Sequence, residues 1–162
     1  MTPEPKIKGL TLRHPWAWGF LNGKPVENRT WRPERQGGSI GMYLALHGGA
    51  MPPKSGEYWN EITDAVNWMG HQGLPCAALA RELLRDGRGL CVPGIVAVAQ
   101  LVEVRQDSSS PWAAQGQYHW VLDVTPLPEP VLHKGSQGLW TVEPEALARV
   151  QAGYRAARKK KR

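Results

Sequence analysis

Apolar and polar positions along the chain assign most of it to strands and short helices. Residues 7–12, IKGLTL, read as a first strand. Ala17, Phe20 and Leu21 then fall at i, i+3 and i+4, one apolar face of a short helix. Pro15 suits the first position of that helix, because its fixed φ fits and its missing N–H needs no partner there. Gly23 is the expected left-handed stop. Residues 39–47 read as a strand with Ile40, Met42, Leu44 and Leu46 on one side and Tyr43, Ala45 and His47 on the other. The most apolar strand is 95–104. After a polar loop at 106–117 comes a strand at 118–124, where Tyr118, Trp120, Leu122 and Val124 alternate with His119, Val121 and Asp123. Three prolines in 125–130 predict an extended connection there rather than a strand. Residues 131–133 add a short strand, and a glycine-punctuated turn over 134–140 follows. Leu147, Val150 and Tyr154 make the inward stripe of a last helix, from Glu143 to about Ala157.

The stretch 48–93 interrupts the strand pattern. Trp59, Ile62, Val66 and Met69 recur at helical spacing and predict an amphipathic helix over roughly 57–70. Leu79 and Leu83 mark a second over about 75–86, with Gly87 and Gly89 as its stop signals. These elements predict an α+β fold of one domain, residues 1–157, carrying a helical insertion over 48–93. The tryptophans of the insertion are expected to pack helices together. Pro3 and Pro5 leave residues 1–6 without a regular element and favour disorder there.

Candidate chemistry concentrates in residues 14–33, HPWAWGFLNGKPVENRTWRP. Beyond Pro25 the chain is extended, and Glu27, Arg29 and Trp31 alternate with Asn28 and Thr30. In a strand, every second side chain points the same way, so a carboxylate, a guanidinium and an indole would share a face near Lys24. Two readings fit this pattern: a ligand floor, or a surface ion pair beside a packing tryptophan.

Charge alters the picture less than its total suggests. The chain of 162 residues carries a net +6, but residues 158–162 are all basic. Without them 15 Lys+Arg face 14 Asp+Glu, so the body is nearly neutral and the basicity sits in a tail. Such a tail can add salt-dependent phosphate contacts without reading sequence, or be a solvated end. No apolar run reaches the ~18 residues of a membrane span, and no secretory signal is expected at the start. Cys76 and Cys91 show neither a CxxC nor a disulfide framework, and the histidines lack metal-ligand spacing. No metal or cofactor is expected, and a cytoplasmic setting is.

The ordered motifs carry a resemblance. Leu10, Leu12, Arg13, Pro15, Trp16 and Ala17, followed by Gly23, Lys24, Glu27, Arg29 and Trp31, resemble the start of an ASCH domain, of the PUA-like superfamily. The segments GIVAVAQLVEV, YHWVLDV and KGSQGLW continue the resemblance to residue 140. It implies a small mixed β-barrel with flanking helices and a cleft for RNA or modified nucleosides. For an unstacked base the chain offers Trp16, Trp31 and Trp140 as planes and Arg13, Lys24 and Arg29 as cations. Glu27 could accept from an exocyclic amine. Gly135 and Gly138 would let backbone approach the ligand from a turn starting at Lys134, opposite the floor.

Three functional readings follow. The first is a binding module for single-stranded RNA or a modified nucleoside, lined by Arg13, Trp16, Lys24, Glu27, Arg29, Trp31, Lys134, Gly135 and Gly138. The second is a hydrolase acting on N4-acylated cytidine or on RNA, with Lys24 and Glu27 catalytic. Small ASCH amidohydrolases use a lysine at the Lys24 position, a threonine three residues on and a distant glutamate. Here Glu27 stands at the threonine position, and 106–117 offers Asp107, Gln115 and Gln117 but no glutamate. The third is a scaffold that presents the insertion's apolar helix face to a protein partner.

Overall fold

The computed structural model describes residues 6–86 and 89–160. Its elements in chain order are β1 (Ile7–Leu12), α1 (Trp16–Phe20), β2 (Val26–Arg29), β3 (Tyr43–Gly48), α2 (Glu57–His71), α3 (Ala77–Asp86), β4 (Gly94–Arg105), β5 (Tyr118–Val131), β6 (Leu139–Thr141) and α4 (Pro144–Lys160). The six strands form one sheet in the order β2-β5-β4-β3-β1-β6. The β1–β3 pair is parallel and every other pairing antiparallel. The expected α+β class is present. The sheet curls into a half-barrel, with β2 and β6 as its edges.

Both faces of the sheet are covered, which explains the dense apolar reading of its central strands. Leu10, Leu44, Leu46, Ala97, Ala99, Leu101 and Trp120 pack on one face with Ala17 and Phe20 of α1. Ala45, Ile95, Val98, Val131 and Trp140 pack on the other with Val150 of α4. A third cluster joins Ile62, Val66 and Met69 of α2 and Ala77 and Ala80 of α3 to Trp18, Val26, Leu90 and Trp112. The insertion therefore docks on α1 and β2 through its own core.

Several boundaries differ from those the sequence predicts. The strand expected over 39–47 begins only at Tyr43, and Ile40 is exposed. A turn closed by the Met42 N–H on the Ser39 carbonyl precedes the strand, with Gly41 at φ +95°. The prolines of 125–130 lie within β5. This is tolerated because β2 pairs β5 only through Tyr118–Val121, leaving the outer side beyond free of a neighbour. Correspondingly, β5 ends at Val131 and no separate strand forms at 131–133. Leu79 of α3 is exposed, and Ala77 and Ala80 make the buried contacts. Pro15 precedes α1 as its cap residue rather than occupying its first turn. The last helix continues through Arg158, Lys159 and Lys160, so the basic tail begins as helix. Residues 1–5, Gly87 and residues 161–162, to which disorder, a stop signal and the end of the tail were assigned, lie outside the described residues.

Gly9 of β1 illustrates how tightly β6 is seated. A methyl group there would land inside the Trp140 indole. Gly9→Ala is therefore expected to destabilise the fold by about 1–3 kcal/mol, the usual cost of overpacking, read from the midpoint of urea unfolding.

Candidate functional site

The helix–strand corner that places Lys24 is set by glycines. Gly23 takes φ +99°, and the Lys24 N–H then donates back to the Gly19 carbonyl at 3.0 Å, a Schellman-type closure of α1. Gly19 also leaves room for the lysine stem, since a Cβ there would approach Lys24 Cδ to 3.3 Å. The lysine thus lies along α1 and buries its ammonium. Nζ donates to the Val26 carbonyl at 2.7 Å and to Glu27 Oε1 at 3.4 Å. It also stands 4.3 Å from the Phe20 ring centroid and 5.6 Å from that of Trp16. Burial is the largest influence on this group and holds its pKa below the ordinary value of 10.5, against the opposing pull of Glu27.

Glu27 is shared between two cations. Its Oε2 accepts from Arg29 Nε at 2.8 Å, and Arg29 Nη2 donates onward to the Thr11 carbonyl at 3.0 Å. Glu27 and Arg29 do project together from β2, as their spacing predicts. Trp31 lies past the end of β2 and does not line the cleft, although the Arg29 guanidinium stands 5.9 Å from its ring centroid. Its ring packs edge-on against the buried Trp120, with centroids 5.0 Å apart.

Lys24, Glu27 and Arg29 form the floor of a cleft of about 1010 Å³. One wall is α2, whose Glu61, Asp64, Ala65 and Trp68 face inward together with Gln72 just past its end. The opposite wall is the loop joining β4 to β5, through residues 111–115 and Gln117. Trp16, Trp68 and Trp112 meet at one end, with ring centroids 6.0–6.5 Å apart and planes steeply inclined. Arg13 sits at the rim, paired to Glu61 at 2.8 Å and lying 4.1 Å over the Tyr58 ring.

The sequence reading misplaced the facing wall. The turn after Lys134 lies outside the cleft lining. Gly135 backs onto His47 and the Thr11 hydroxyl, and Gly138 onto Gln36. The carbonyl of Lys134 receives a hydrogen bond from His133 Nδ1 at 2.6 Å. Those residues secure β6, and Trp140 is core. His47 likewise binds Thr11 Oγ1 and the His133 carbonyl and does not line the cleft.

Of the 106–117 residues weighed from the sequence, Gln115 and Gln117 line the cleft; what the sequence reading missed is Trp112 and the device that holds the loop. Asn28 Nδ2 donates to the Trp112 carbonyl at 3.0 Å, and its Oδ1 accepts from Ala114 N–H at 2.9 Å. From the other side, His119 Nδ1 accepts from Ser108 N–H at 3.2 Å while Nε2 donates to the Ala114 carbonyl at 2.7 Å. One carboxamide and one neutral imidazole therefore fix the stretch that carries Trp112. Its hint in the sequence was a Pro-Trp pair inside an otherwise polar loop. Trp68 and Asp64 had a clearer signal, since 61, 64, 65, 68 and 72 recur at helical spacing beside the buried stripe.

Among the described residues no three His, Cys, Asp or Glu side chains converge as metal ligands, and no helix is long and apolar enough to cross a membrane. No protein-family model matches the chain, and a search of curated proteins finds no match to it.

Two outcomes follow from this geometry. Asn28→Ala leaves the Trp112 carbonyl and the Ala114 amide without their partner and should cost about 1–3 kcal/mol. Faster hydrogen exchange at Ala114 would accompany the loss. Lys24 makes stability pH-dependent in the alkaline range. Between its depressed folded pKa and the 10.5 of the unfolded chain, the unfolded state binds the extra proton, so stability rises with pH. Lys24→Met should remove that slope in urea unfolding measured across the alkaline window.

Proposed function

We propose that the chain is an ASCH-type, PUA-like module whose cleft binds a nucleobase, with a free modified nucleoside as the preferred ligand. One observation carries the reading: three tryptophans line a cleft whose floor is a buried, ion-paired Lys24–Glu27–Arg29 group. Stacking on indole planes contributes about 1–3 kcal/mol per base whatever the base. Polar groups fixed on a rigid floor supply the orientation that stacking lacks. Two of the three N–H bonds of Lys24 are used within the protein, and the third is free to donate to a base carbonyl.

Charge favours the nucleoside over the strand. Arg13, Lys24 and Arg29 line the cleft together with Glu27, Glu61 and Asp64, so its formal charges cancel. Grooves that track a phosphate backbone are positively charged, because neutralised phosphates release counterions and provide the affinity. The exposed Arg158, Lys159 and Lys160 end α4, which packs on the sheet face away from α1.

A second reading rests on Lys24 alone. A lysine with a burial-depressed pKa beside a carboxylate is suited to proton abstraction. In its neutral form it would take a proton from a water attacking the amide carbonyl of an N4-acylated cytidine. The proton then passes to the departing N4 amine, giving a carboxylic acid and cytidine. The 106–117 loop offers no glutamate for such a step, and Glu27 is the carboxylate paired to Lys24.

A tryptophan-fluorescence titration with cytidine, N4-acetylcytidine and a short single-stranded RNA tests both readings, with each ligand weighed afterwards. Saturable quenching by the nucleosides is expected, weakened about tenfold or more by Trp68→Ala and little changed by salt. RNA binding that is tighter and falls steeply with salt would replace the nucleoside by a strand. Loss of the acetyl group, abolished by Lys24→Met, would make the cleft an active site.

A further inference from the structure

The floor carboxylate, which the sequence offered as the acceptor for an exocyclic amine, is committed elsewhere. Each oxygen of Glu27 faces a cation of the protein. Glu61 is held by Arg13. Among the described residues the remaining charged group of the cleft, Asp64, has no hydrogen bond or ion pair.

Its position is as informative as its lack of a partner. Asp64 stands on the inward stripe of α2, one turn before Trp68 and next to the small, buried Ala65. A planar ligand seated against Trp68 therefore has a free carboxylate on the α2 side and Lys24 and Arg29 on the floor. An ionised carboxylate only accepts hydrogen bonds, and an ammonium only donates them. The cleft is polarised accordingly, asking for a donor on one edge of the ligand and an acceptor on another.

We infer that Asp64 is the specificity-determining residue of the cleft and selects bases that present an amino group, as in cytosine and adenine, over their oxo counterparts. This rests on the nucleoside reading above and adds to it which bases are taken. With an amino base, N–H donates to the Asp64 carboxylate while a ring nitrogen or carbonyl accepts from the floor. In an oxo base a carbonyl replaces the amine and faces Asp64, acceptor against acceptor. Water solvating the carboxylate is then displaced without replacement, the situation that gives the strongest discrimination between close analogues.

Affinities for the pairs cytidine and uridine, and adenosine and inosine, test this in the native chain and in Asp64→Ala. The native protein should bind the amino member of each pair at least about tenfold more tightly. Asp64→Ala should bring both ratios close to one by weakening the amino member, with an unchanged unfolding midpoint because the residue is exposed. Equal binding within each pair by the native protein overturns the inference while leaving the nucleoside reading intact. So does a ratio that survives Asp64→Ala, or an equal loss for all four ligands. Failure of all four to bind the native protein overturns both.

Discussion

A lysine ammonium taken out of water must be satisfied by the chain that surrounds it, and around Lys24 that demand organises the whole cleft. Burying an unpaired charge costs several kcal/mol, so the backbone supplies a carbonyl from Val26 and the sequence supplies Glu27. Glu27 in turn is half-committed to Arg29, and Arg29 reaches the backbone of β1 through Thr11. One buried cation thereby ties together α1, β2 and β1. The chain of polar contacts gives the floor a fixed geometry, and its linked members cannot shift independently.

Around that floor the fold divides labour between the faces of the sheet. Alternation along β3 and β4 sends Leu44, Leu46, Ala97 and Ala99 toward α1 and Ala45 and Val98 toward α4. The insertion adds a wall rather than extending the sheet. Its inner stripe docks on Trp18 and Val26, and the adjacent stripe turns Trp68 and Asp64 into the cleft. A β2 edge without an outer neighbour completes the arrangement, since Asn28 can use that freedom to hold the 106–117 loop.

Local chemistry was readable wherever a single element decided it. The Lys24 corner follows from Gly23, the Glu27 and Arg29 projection from strand periodicity, and α2 from its apolar spacing. Failures arose where distant segments had to be brought together. Trp31 stays beside Arg29 as the period of two predicts, but it lies past the end of β2, packs edge-on against Trp120 and does not line the cleft. The glycines after Lys134 fit a ligand-approach turn, yet their conformations serve close contact with His47 and Gln36. Prolines argue against a strand only where both edges are paired, and sequence does not show that β2 is too short to reach them. The Asn28 clamp joins residues 84 and 86 positions apart, a distance no local pattern spans.

Net charge, the most conspicuous number in the composition, turns out to say least about the cleft. The excess of positive charge is concentrated in residues 158–162, of which 158–160 end α4, whereas the cleft sets three cations against three carboxylates. Screening confines the influence of exposed charges to roughly 8 Å at physiological ionic strength, and α4 packs on the sheet face away from α1. A cleft with cancelling charges still has strong local fields, because its positive floor and its free carboxylate occupy different walls. Such a site responds to the internal dipole of a ligand more than to its total charge. In the proposed nucleobase site, the balance of fixed charges that weakens the case for a phosphate strand is the same feature that would distinguish one edge of a small aromatic ring from another.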